Sequence, residues 1–353
     1  MGVYIIAEIG INHNNSLENC FKLIDSASKA GCDAVKFQLF SAKWLYPENA
    51  GKLDWKDGNA TYSYDIYKAV EKFELPFGWI DKLIVYCKEK RIDFISSVFD
   101  LSGLDFLIQK QVHAIKLSSY TITNLPLIKS VAKSGLQTFQ STGGATLGET
   151  EEAVNTFLSY NDNLTLLHCS IQYPTLLSNC NIGVIKTLQT AFPMLDVGYS
   201  DHTIEISQAP VQSVYLGSSV IEKHITLDKN MKGPDHFFAL EPDELAKMVK
   251  DIRAAEKDYL SGHYEIDYEI FGSSARKCYE HEKYLRNFCF MTLFSQKRIE
   301  KGGQIKLQDI KILRPGKKER GLEPKYLSLF NSYKIFAKTN IEIDDPITWE
   351  SIL

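Results

Sequence analysis

The stretch DVGYSDHTIEISQAPVQSVYLGSSVIEKHIT (196–226) contains two apolar, β-branched runs separated by a segment with helical periodicity. The two runs predict buried strands, and the segment 204–216 between them predicts an amphipathic helix. Each strand ends in polar residues, which are Ser200-Asp201-His202 in the first and Glu222-Lys223-His224 in the second. Buried strands with polar ends, joined by a helix, are typical of a parallel sheet that carries a site at its carboxyl edge.

The same unit recurs along the first 260 residues. The predicted strands lie at 3–9, 34–40, 93–99, 114–119, 137–142, 164–170, 196–202 and 219–226. The predicted helices lie near 16–30, 76–90, 101–110, 124–134, 147–159, 182–191, 204–216 and 242–260. Eight β-then-α units in order indicate a (β/α)₈ TIM barrel in the α/β class. A doubly wound sheet usually has fewer strands, and no GxGxxG follows any strand here.

Helix start and stop signals agree with this reading. Ser16 precedes a predicted helix, and Thr146 stands three residues before Glu149, which is the spacing of a capping box. Gly31 and Gly135 follow predicted helices at the positions where a left-handed cap is expected.

Composition and charge exclude several classes of protein. The 353 residues carry 40 basic and 44 acidic side chains, a formal charge of −4, so neither nucleic acid nor an anionic membrane surface is an expected partner. No apolar run reaches the roughly 18–20 residues of a membrane span. Seven scattered cysteines without a CxxC pair predict neither a disulfide framework nor a zinc ribbon. The N-terminus does not resemble a signal peptide, and we expect a cytoplasmic protein.

The chain changes character after the last barrel helix. We predict a barrel domain over 1–262, a polar linker over 263–285 and a small C-terminal domain over 286–353. The run 288–294 predicts the first strand of that small domain.

Polar residues gather at the carboxyl ends of the predicted barrel strands. Lys36 and Lys116 stand out, because a lysine inside a buried parallel sheet is costly to desolvate unless it meets an anion or a carboxylate. Two such lysines with hydroxyls nearby indicate an anionic substrate. The alternative is that they reach the rim or pair with Glu8 or Glu222.

Two histidines end neighbouring strands. His202 and His224, close to Asp201 and Glu222, suit a divalent transition metal with open positions for water or substrate oxygen. The alternative is a pair of separately hydrogen-bonded histidines. Arg314, followed by Pro and Gly, could present a guanidinium to a polar ligand.

Taken together and in order, the motifs resemble those of the sialic acid synthase family. The matching stretches are IIAEIGINHNNS (5–16), DAVKFQLF (33–40), TNLPLI (123–128), STGGATLGE (141–149), LLHC (166–169), YPT (173–175), VGYSDHT (197–203), VIEKHITLDKNMKGPDH (220–236) and LRPG (313–316). The C-terminal segment resembles that family's antifreeze-like (SAF) domain. The resemblance covers nearly the whole chain.

The resemblance implies an enzyme that condenses phosphoenolpyruvate with an N-acylated amino hexose to form a nine-carbon 2-keto acid. It implies that phosphate and carboxylate are held by Lys36, Lys116, Ser119, Ser141 and Ser200. It places Glu8 and Gln38 around the reacting centre, and it makes Tyr173 and Asp235 sugar contacts.

The resemblance also implies a metal and a dimer. His202 and His224 match the ligands of a manganese-type ion, for which Mg²⁺ or Co²⁺ are alternatives. Arg314 matches an arginine that the antifreeze-like domain offers to the partner's active site in a domain-swapped homodimer.

The sequence departs from the family pattern on the sugar side. Thr121 stands where the family has a glutamate among its substrate-binding residues, and Tyr120 stands where glycine is common. Ile171 replaces a small polar residue, and Phe237-Phe238 follow Asp235-His236 where smaller or polar residues are typical. These changes indicate a more apolar acceptor, such as a deoxy or diacylated sugar. The alternatives are an impaired member that binds phosphoenolpyruvate and metal without turnover, and a related 3-deoxy sugar acid synthase.

Overall fold

The computed structural model of the protein describes residues 2–57 and 60–353. The strands are β1 (Tyr4–Gly10), β2 (Ala34–Leu39), β3 (Lys52–Asp57), β4 (Ala60–Asp65), β5 (Asp93–Val98), β6 (Ala114–Leu117), β7 (Gln137–Ser141), β8 (Leu164–His168), β9 (Asp196–Asp201), β10 (Val220–His224), β11 (Thr292–Ser295), β12 (Gln304–Ile305), β13 (Ile310–Leu313) and β14 (Ile335–Phe336). The α-helices are α1 (Leu17–Ala30), α2 (Ala42–Leu45), α3 (Ile66–Glu71), α4 (Ile80–Lys90), α5 (Leu101–Gln109), α6 (Leu125–Lys133), α7 (Leu147–Leu158), α8 (Val184–Ala191), α9 (Gln208–Tyr215), α10 (Pro242–Ser261), α11 (Tyr268–Phe271), α12 (Lys283–Cys289) and α13 (Leu329–Ser332).

Eight parallel strands close into a barrel in the order β1-β10-β9-β8-β7-β6-β5-β2. The register places Glu8 opposite both Lys36 on β2 and His224 on β10. The predicted (β/α)₈ barrel is therefore confirmed. Because the strands are parallel, their polar carboxyl ends all meet at one mouth.

The helix signals of the sequence act as expected. The Ser16 side chain accepts a hydrogen bond from the backbone N–H of Asn19 at the start of α1, and Gly31 ends that helix in the left-handed region with φ 86°. Thr146 and Glu149 form the predicted capping box of α7. Each cap satisfies backbone groups that the ends of a helix leave unpaired.

Side chains inside the barrel form an apolar layer beneath a polar one. The apolar layer consists of Ile6, Ala34, Ile95, Ala114, Phe139, Leu167 and Val220. Strand residues alternate between the two faces of a sheet, so the residues two positions later on each strand also point inward, one layer nearer the mouth. Those residues include Glu8, Lys36, Lys116 and Glu222, and the barrel geometry thereby brings the charges together.

The segment after the barrel contains short helices and strands. The predicted linker, 263–285, contains α11 and the beginning of α12. The predicted strand at 288–294 is wrong at its start, because Phe288 and Cys289 close α12 and the strand begins only at Thr292. Phe288 packs with Tyr46, Leu45 and Ala50 in one apolar cluster, so burial of a helical face outweighed the β-propensity of this aromatic run. No helix of the described residues has the length and apolar composition needed to cross a membrane.

Gly198 lies within β9, where there is no room for the methyl group of an alanine. An added Cβ would overlap the carbonyl oxygen of Val220 and lie 2.7 Å from Cδ2 of Leu167. We expect Gly198→Ala to lower the free energy of unfolding by roughly 1–3 kcal/mol, measured by urea denaturation. Gly148→Ala is the control, because nothing lies within 4 Å of its added Cβ in α7 and the helix should gain about 0.5–1 kcal/mol. Equal stabilities for the two variants would contradict this account.

Candidate active site

Two buried lysines reach into the barrel mouth from β2 and β6. The Nζ atom of Lys36 lies 2.7 Å from a carboxylate oxygen of Glu8 and 3.7 Å from one of Glu222. The Nζ atom of Lys116 donates to Oγ of Ser141 at 2.7 Å and lies 3.5 Å from Glu222. The alternative of carboxylate pairing is thus what the structure shows, with Glu222 shared by both lysines.

Neutral groups complete this cluster. Gln38 Nε2 donates to Glu8 at 2.7 Å, and Ser200 Oγ donates to Glu222 at 2.8 Å. Lys36 also donates to Oγ of Ser97 at 3.2 Å. The predicted residues of β1, β2, β6, β7 and β9 are therefore joined into one network by hydrogen bonds and by the ion pairs of Glu222.

The charges of this network are unequally compensated. Burial raises the pKa of Glu8, whereas for Glu222 burial is outweighed by Lys116, Lys36 and Ser200, so its pKa falls to about 2. Burial also opposes the charge of Lys36, but Glu222 and Glu8 outweigh it and raise its pKa. Burial lowers the pKa of Lys116 despite Glu222. Lys116 is therefore the ammonium with the most to gain from a further anion.

A serine and a cysteine extend the cluster toward β7 and β8. Oγ of Ser119 lies 3.0 Å from Sγ of Cys169 and accepts the backbone N–H of Gly143 at 2.9 Å. Cys169 was not among the predicted site residues. The alternation Leu167-His168-Cys169 could have indicated its inward direction.

His168 lies outside this site. Its Nε2 lies 2.8 Å from the carbonyl oxygen of Cys180, and its ring packs beside Tyr199 on the outer side of the barrel wall. His168 pairs in register with Tyr199 on β9, and His202 lies three residues after Tyr199, so it points to the opposite side, into the mouth.

His202 and His224 do converge, with ring centroids 5.6 Å apart. His202 Nδ1 lies 2.8 Å from the carbonyl oxygen of Ser170, which fixes the ring and leaves Nε2 for a ligand. His224 Nδ1 is buried without a hydrogen-bond partner among the described residues and lies 3.9 Å from Oδ2 of Asp235. Burial lowers the pKa of His202 to about 4, so its imidazole is neutral at pH 7.

These two imidazoles fit a divalent ion as a pair of nitrogen donors. Across residues 2–57 and 60–353, no group of three or more His, Cys, Asp and Glu side chains is arranged to hold a metal. The unpartnered, neutral nitrogen of His224 is the observation in favour of a metal, since a buried imidazole nitrogen without a partner is costly. An ion held here by His202 and His224 would keep open positions for water or substrate.

A buried ion pair behind the wall supports this region. Lys223 points away from the mouth and pairs with Asp201, which also accepts from the hydroxyl of Thr203 at 2.9 Å. Lys223 lies between Glu222 and His224 on β10, and Asp201 lies between Ser200 and His202 at the end of β9. Both therefore point away from the mouth. The pair therefore fixes the two strands from the side opposite to the site.

The predicted sugar contacts border the histidines. The ring of Tyr173 lies 4.3 Å from that of His202, and Phe238 lies 5.0 Å from that of His224. Burial, followed by repulsion from Glu8, raises the pKa of Asp235 to about 7.

Arg314 lies against aromatic side chains of its own chain. Its guanidinium carbon is 4.9 Å from the ring centroid of Tyr120, 5.0 Å from Phe99 and 5.7 Å from Tyr46. Its backbone N–H donates to the carbonyl oxygen of Leu45 at 2.9 Å. The Nε atom is buried and has no hydrogen-bond partner within the described part of the chain.

Two of the departures from the family pattern have defined contacts within the chain. The hydroxyl of Thr121 donates to the carbonyl oxygen of Ser118 at 2.8 Å, and the residue is fully buried. Ile171 is also fully buried and packs on Gly143 and Gly144. Tyr120 and Phe238 are the departures that lie against predicted site residues.

Comparison with known proteins identifies the family of this chain. The model of the NeuB family matches residues 23–264. The chain belongs to the NeuB family. It is 39% identical to the spore coat polysaccharide biosynthesis protein SpsE of Bacillus subtilis, over 99% of this chain and 94% of that protein. It is 34% identical to the N,N'-diacetyllegionaminic acid synthase of Legionella pneumophila, over 100% of this chain and 95% of that protein.

Solved structures agree with this membership. The crystal structure of SpsE matches with a TM-score of 0.88, covering 100% of this chain and 95% of that chain. The N-acetylneuraminic acid synthetase of Leptospira borgpetersenii, in complex with citrate, matches at 31% identity with a TM-score of 0.67, covering 76% of this chain and 87% of that chain.

Proposed function

We propose that this protein is a nonulosonic (sialic-type) acid synthase that condenses phosphoenolpyruvate with an N-acylated amino hexose. The observation that carries the proposal is the convergence of Lys36 and Lys116 on Glu222, beside His202 and His224. The names of the Legionella and Leptospira relatives, a legionaminic acid synthase and a sialic acid synthetase, support the same reaction class.

Lys116 is the main group for the phosphate of phosphoenolpyruvate. Its ammonium is incompletely compensated by Glu222 and already donates to Ser141. Ser119 and Ser200 bring hydroxyls to the same cluster. Lys36, held by Glu8, then serves the carboxylate, so the two lysines orient the enol carbon between them.

His202 and His224 are the proposed ligands of a divalent ion, Mn²⁺ first and Mg²⁺ or Co²⁺ as alternatives. When bound, such an ion polarises the aldehyde oxygen of the acceptor sugar. Neutral imidazoles are the form that binds metal, and burial keeps His202 in that form at pH 7.

The bond changes balance as a three-component reaction. The C3 methylene of phosphoenolpyruvate bonds to the aldehyde carbon as the enol C=C and carbonyl C=O π bonds break, and the aldehyde oxygen takes a proton to become a hydroxyl. Water bonds to C2 and gives up that proton. The C2–O bond to phosphate then breaks, the C2 hydroxyl loses its proton to the departing phosphate, and the keto group forms. Glu8, held by Gln38 and Lys36, stabilises positive charge at C2 or orients the water. The products are a nine-carbon 2-keto sugar acid and phosphate.

The acceptor side favours a diacetamido-trideoxy hexose over N-acetylmannosamine. The ring of Phe238 packs on that of His224 at 5.0 Å in a T-shaped arrangement, and the ring of Tyr120 lies 4.9 Å from the guanidinium of Arg314. An apolar wall accepts a methyl or acyl group and leaves a sugar hydroxyl without a hydrogen bond. Asp235 and Tyr173 are the proposed polar contacts of the sugar.

We also place the reaction in the cytoplasm, where phosphoenolpyruvate is available and the seven free cysteines stay reduced. The antifreeze-like nature of residues 286–353 and the domain-swapped homodimer stay predictions from the resemblance.

Phosphate release tests the proposed function. With Mn²⁺ and phosphoenolpyruvate, we expect release that depends on a hexose, with a diacetamido-trideoxy hexose giving a higher kcat/KM than N-acetylmannosamine. A preference of about tenfold or more corresponds to one or two favourable apolar contacts. Phe238→Ser should reduce that preference, while Phe237→Ser, at an exposed neighbouring ring, is the matched control.

The outcomes separate the alternatives. No release with any hexose, together with binding of phosphoenolpyruvate, would support an impaired member and contradict the proposal. Release only with an aldose phosphate would support a 3-deoxy sugar acid synthase. N-Acetylmannosamine as the best hexose would refute the apolar-acceptor assignment alone.

A further inference from the structure

Glu282 is a buried carboxylate that comes from outside the barrel. It lies just before α12, in the segment that follows the last barrel helix, and it is 1% exposed. One oxygen, Oε1, accepts the backbone N–H of Gly144 at 3.0 Å and that of Ile171 at 3.2 Å. The other oxygen accepts the backbone N–H of Tyr279 at 2.9 Å. A single oxygen thus joins the loop after β7 to the loop after β8.

The loop after β7 leads directly to the phosphate side of the site. Gly143, next to Gly144, donates its backbone N–H to Ser119 at 2.9 Å. Ser141, at the end of β7, accepts from Lys116. A shift of this loop would move both hydroxyls relative to the lysine.

The loop after β8 leads to the histidine side. Ile171 follows Ser170, whose carbonyl oxygen lies 2.8 Å from Nδ1 of His202. That contact sets the orientation of the imidazole. The Ser170 carbonyl and the Ile171 N–H belong to the same peptide group, so moving the N–H also moves the carbonyl that orients His202.

Two arginines of the same segment hold the neighbouring carbonyl groups. Arg276 Nε donates to Ala145 at 2.9 Å, and Arg286 Nη1 donates to Gly144 at 2.6 Å. Arg276 Nη2 also lies 3.5 Å from Glu282. The segment therefore supplies an acceptor for the N–H groups and donors for the carbonyl groups of one loop, which is more than packing requires.

We propose that Glu282 is a positioning residue that holds the loops after β7 and β8 in the geometry needed for phosphoenolpyruvate. This inference rests on the proposed function for the identity of the ligand. The loop after β7 contains Gly143-Gly144, where Gly144 has φ 66°, so its backbone has little stiffness of its own. The carboxylate supplies that stiffness with hydrogen bonds that are assisted by its charge.

Glu282→Gln is the test variant, because it preserves size and removes the charge. The carboxylate accepts three backbone N–H groups with its two oxygens. A glutamine has only one acceptor oxygen, and its NH₂ group cannot accept. We expect the amides of Gly144 and Ile171 to exchange hydrogen at least about tenfold faster. We expect the KM for phosphoenolpyruvate to rise about 10–100-fold, which is the loss of affinity or activity that removing a hydrogen-bonding partner behind a metal ligand typically causes, with a smaller change in the KM for the hexose.

Glu256→Gln is the matched control. Glu256 also accepts a backbone N–H, from Val3, and also pairs with an arginine, Arg253, but it does so at the opposite end of the barrel. It should leave exchange at both loops and the KM for phosphoenolpyruvate unchanged.

Hydrogen–deuterium exchange by mass spectrometry and steady-state kinetics on the full chain decide the matter. Unchanged exchange at both loops in Glu282→Gln would overturn the proposal. Faster exchange with an unchanged KM for phosphoenolpyruvate would reduce Glu282 to a structural residue and would overturn it as well. If the wild type releases no phosphate with any hexose, the proposed function fails, and the exchange rates alone then decide whether Glu282 holds the loops.

Discussion

Lys116→Met should lower kcat/KM for phosphoenolpyruvate by roughly 10²–10³-fold, because truncating one partner of a buried charge pair with a bound group costs about 2–5 kcal/mol of binding free energy, and 1.4 kcal/mol corresponds to tenfold. The variant loses the ammonium that faces Ser141 and leaves Glu222 with Lys36 as its remaining lysine. The carboxylate of Glu222 would then repel an incoming phosphate instead of being offset. The loss should therefore be larger in the KM for phosphoenolpyruvate than in the KM for the hexose.

Lys311→Met is the control for this variant. Lys311 lies on β13, outside the barrel strands, and pairs with Asp344, so its loss should leave kcat/KM within about twofold of the wild type. Thermal unfolding followed by circular dichroism shows whether each variant is folded. A folded Lys116→Met with wild-type kcat/KM would contradict the assignment of the phosphate side.

The barrel could be predicted because its signal is local and repeated. The strands carry apolar, β-branched runs, several helices have a cap that the sequence signals, and Ser16 and Thr146 act in the structure as the sequence indicates. The order of the units then leaves one closed arrangement of parallel strands.

The sequence limits the possible partners of the charged residues but does not identify them. Strand alternation places Lys36, Lys116 and Glu222 on the inner face, yet only the closed barrel shows that Glu222 lies within 4 Å of both lysines. The sequence left open whether the lysines face a substrate or a carboxylate. In the structure they face carboxylates, and an anionic substrate remains a proposal.

Contacts from outside the barrel could not be predicted at all. Glu282 and Arg276 lie more than 100 residues from the loops that they bind, in a polar segment without periodicity. The strand predicted to begin at Phe288 failed for a related reason, since the docking of α12 on Tyr46 is a tertiary contact that a local pattern does not contain. A hydrophobic run of five to seven residues is ambiguous between helix and strand.

His202→Gln should lower the affinity for Mn²⁺ by at least about 10²-fold and abolish Mn²⁺-dependent phosphate release. Its ring lies 5.6 Å from that of His224, and its Nδ1 is fixed by Ser170, so its Nε2 is the nitrogen left for a ligand. The metal-stripped wild type should lose the same activity and regain it with Mn²⁺. Isothermal titration with Mn²⁺ measures the affinity without depending on turnover.

His168→Gln is the control for His202→Gln, because it tests whether loss of any buried histidine at a strand end lowers the affinity for Mn²⁺. His168 and His202 share burial and a ring nitrogen 2.8 Å from a backbone carbonyl oxygen, but His168 points to the outer side of the barrel wall. Loss of its ring should destabilise the fold and leave Mn²⁺ affinity within about threefold of the wild type, because no side chain of the histidine pair is touched. Equal loss of Mn²⁺ affinity in both variants would mean that the effect comes from packing, and the metal assignment of His202 would then be withdrawn.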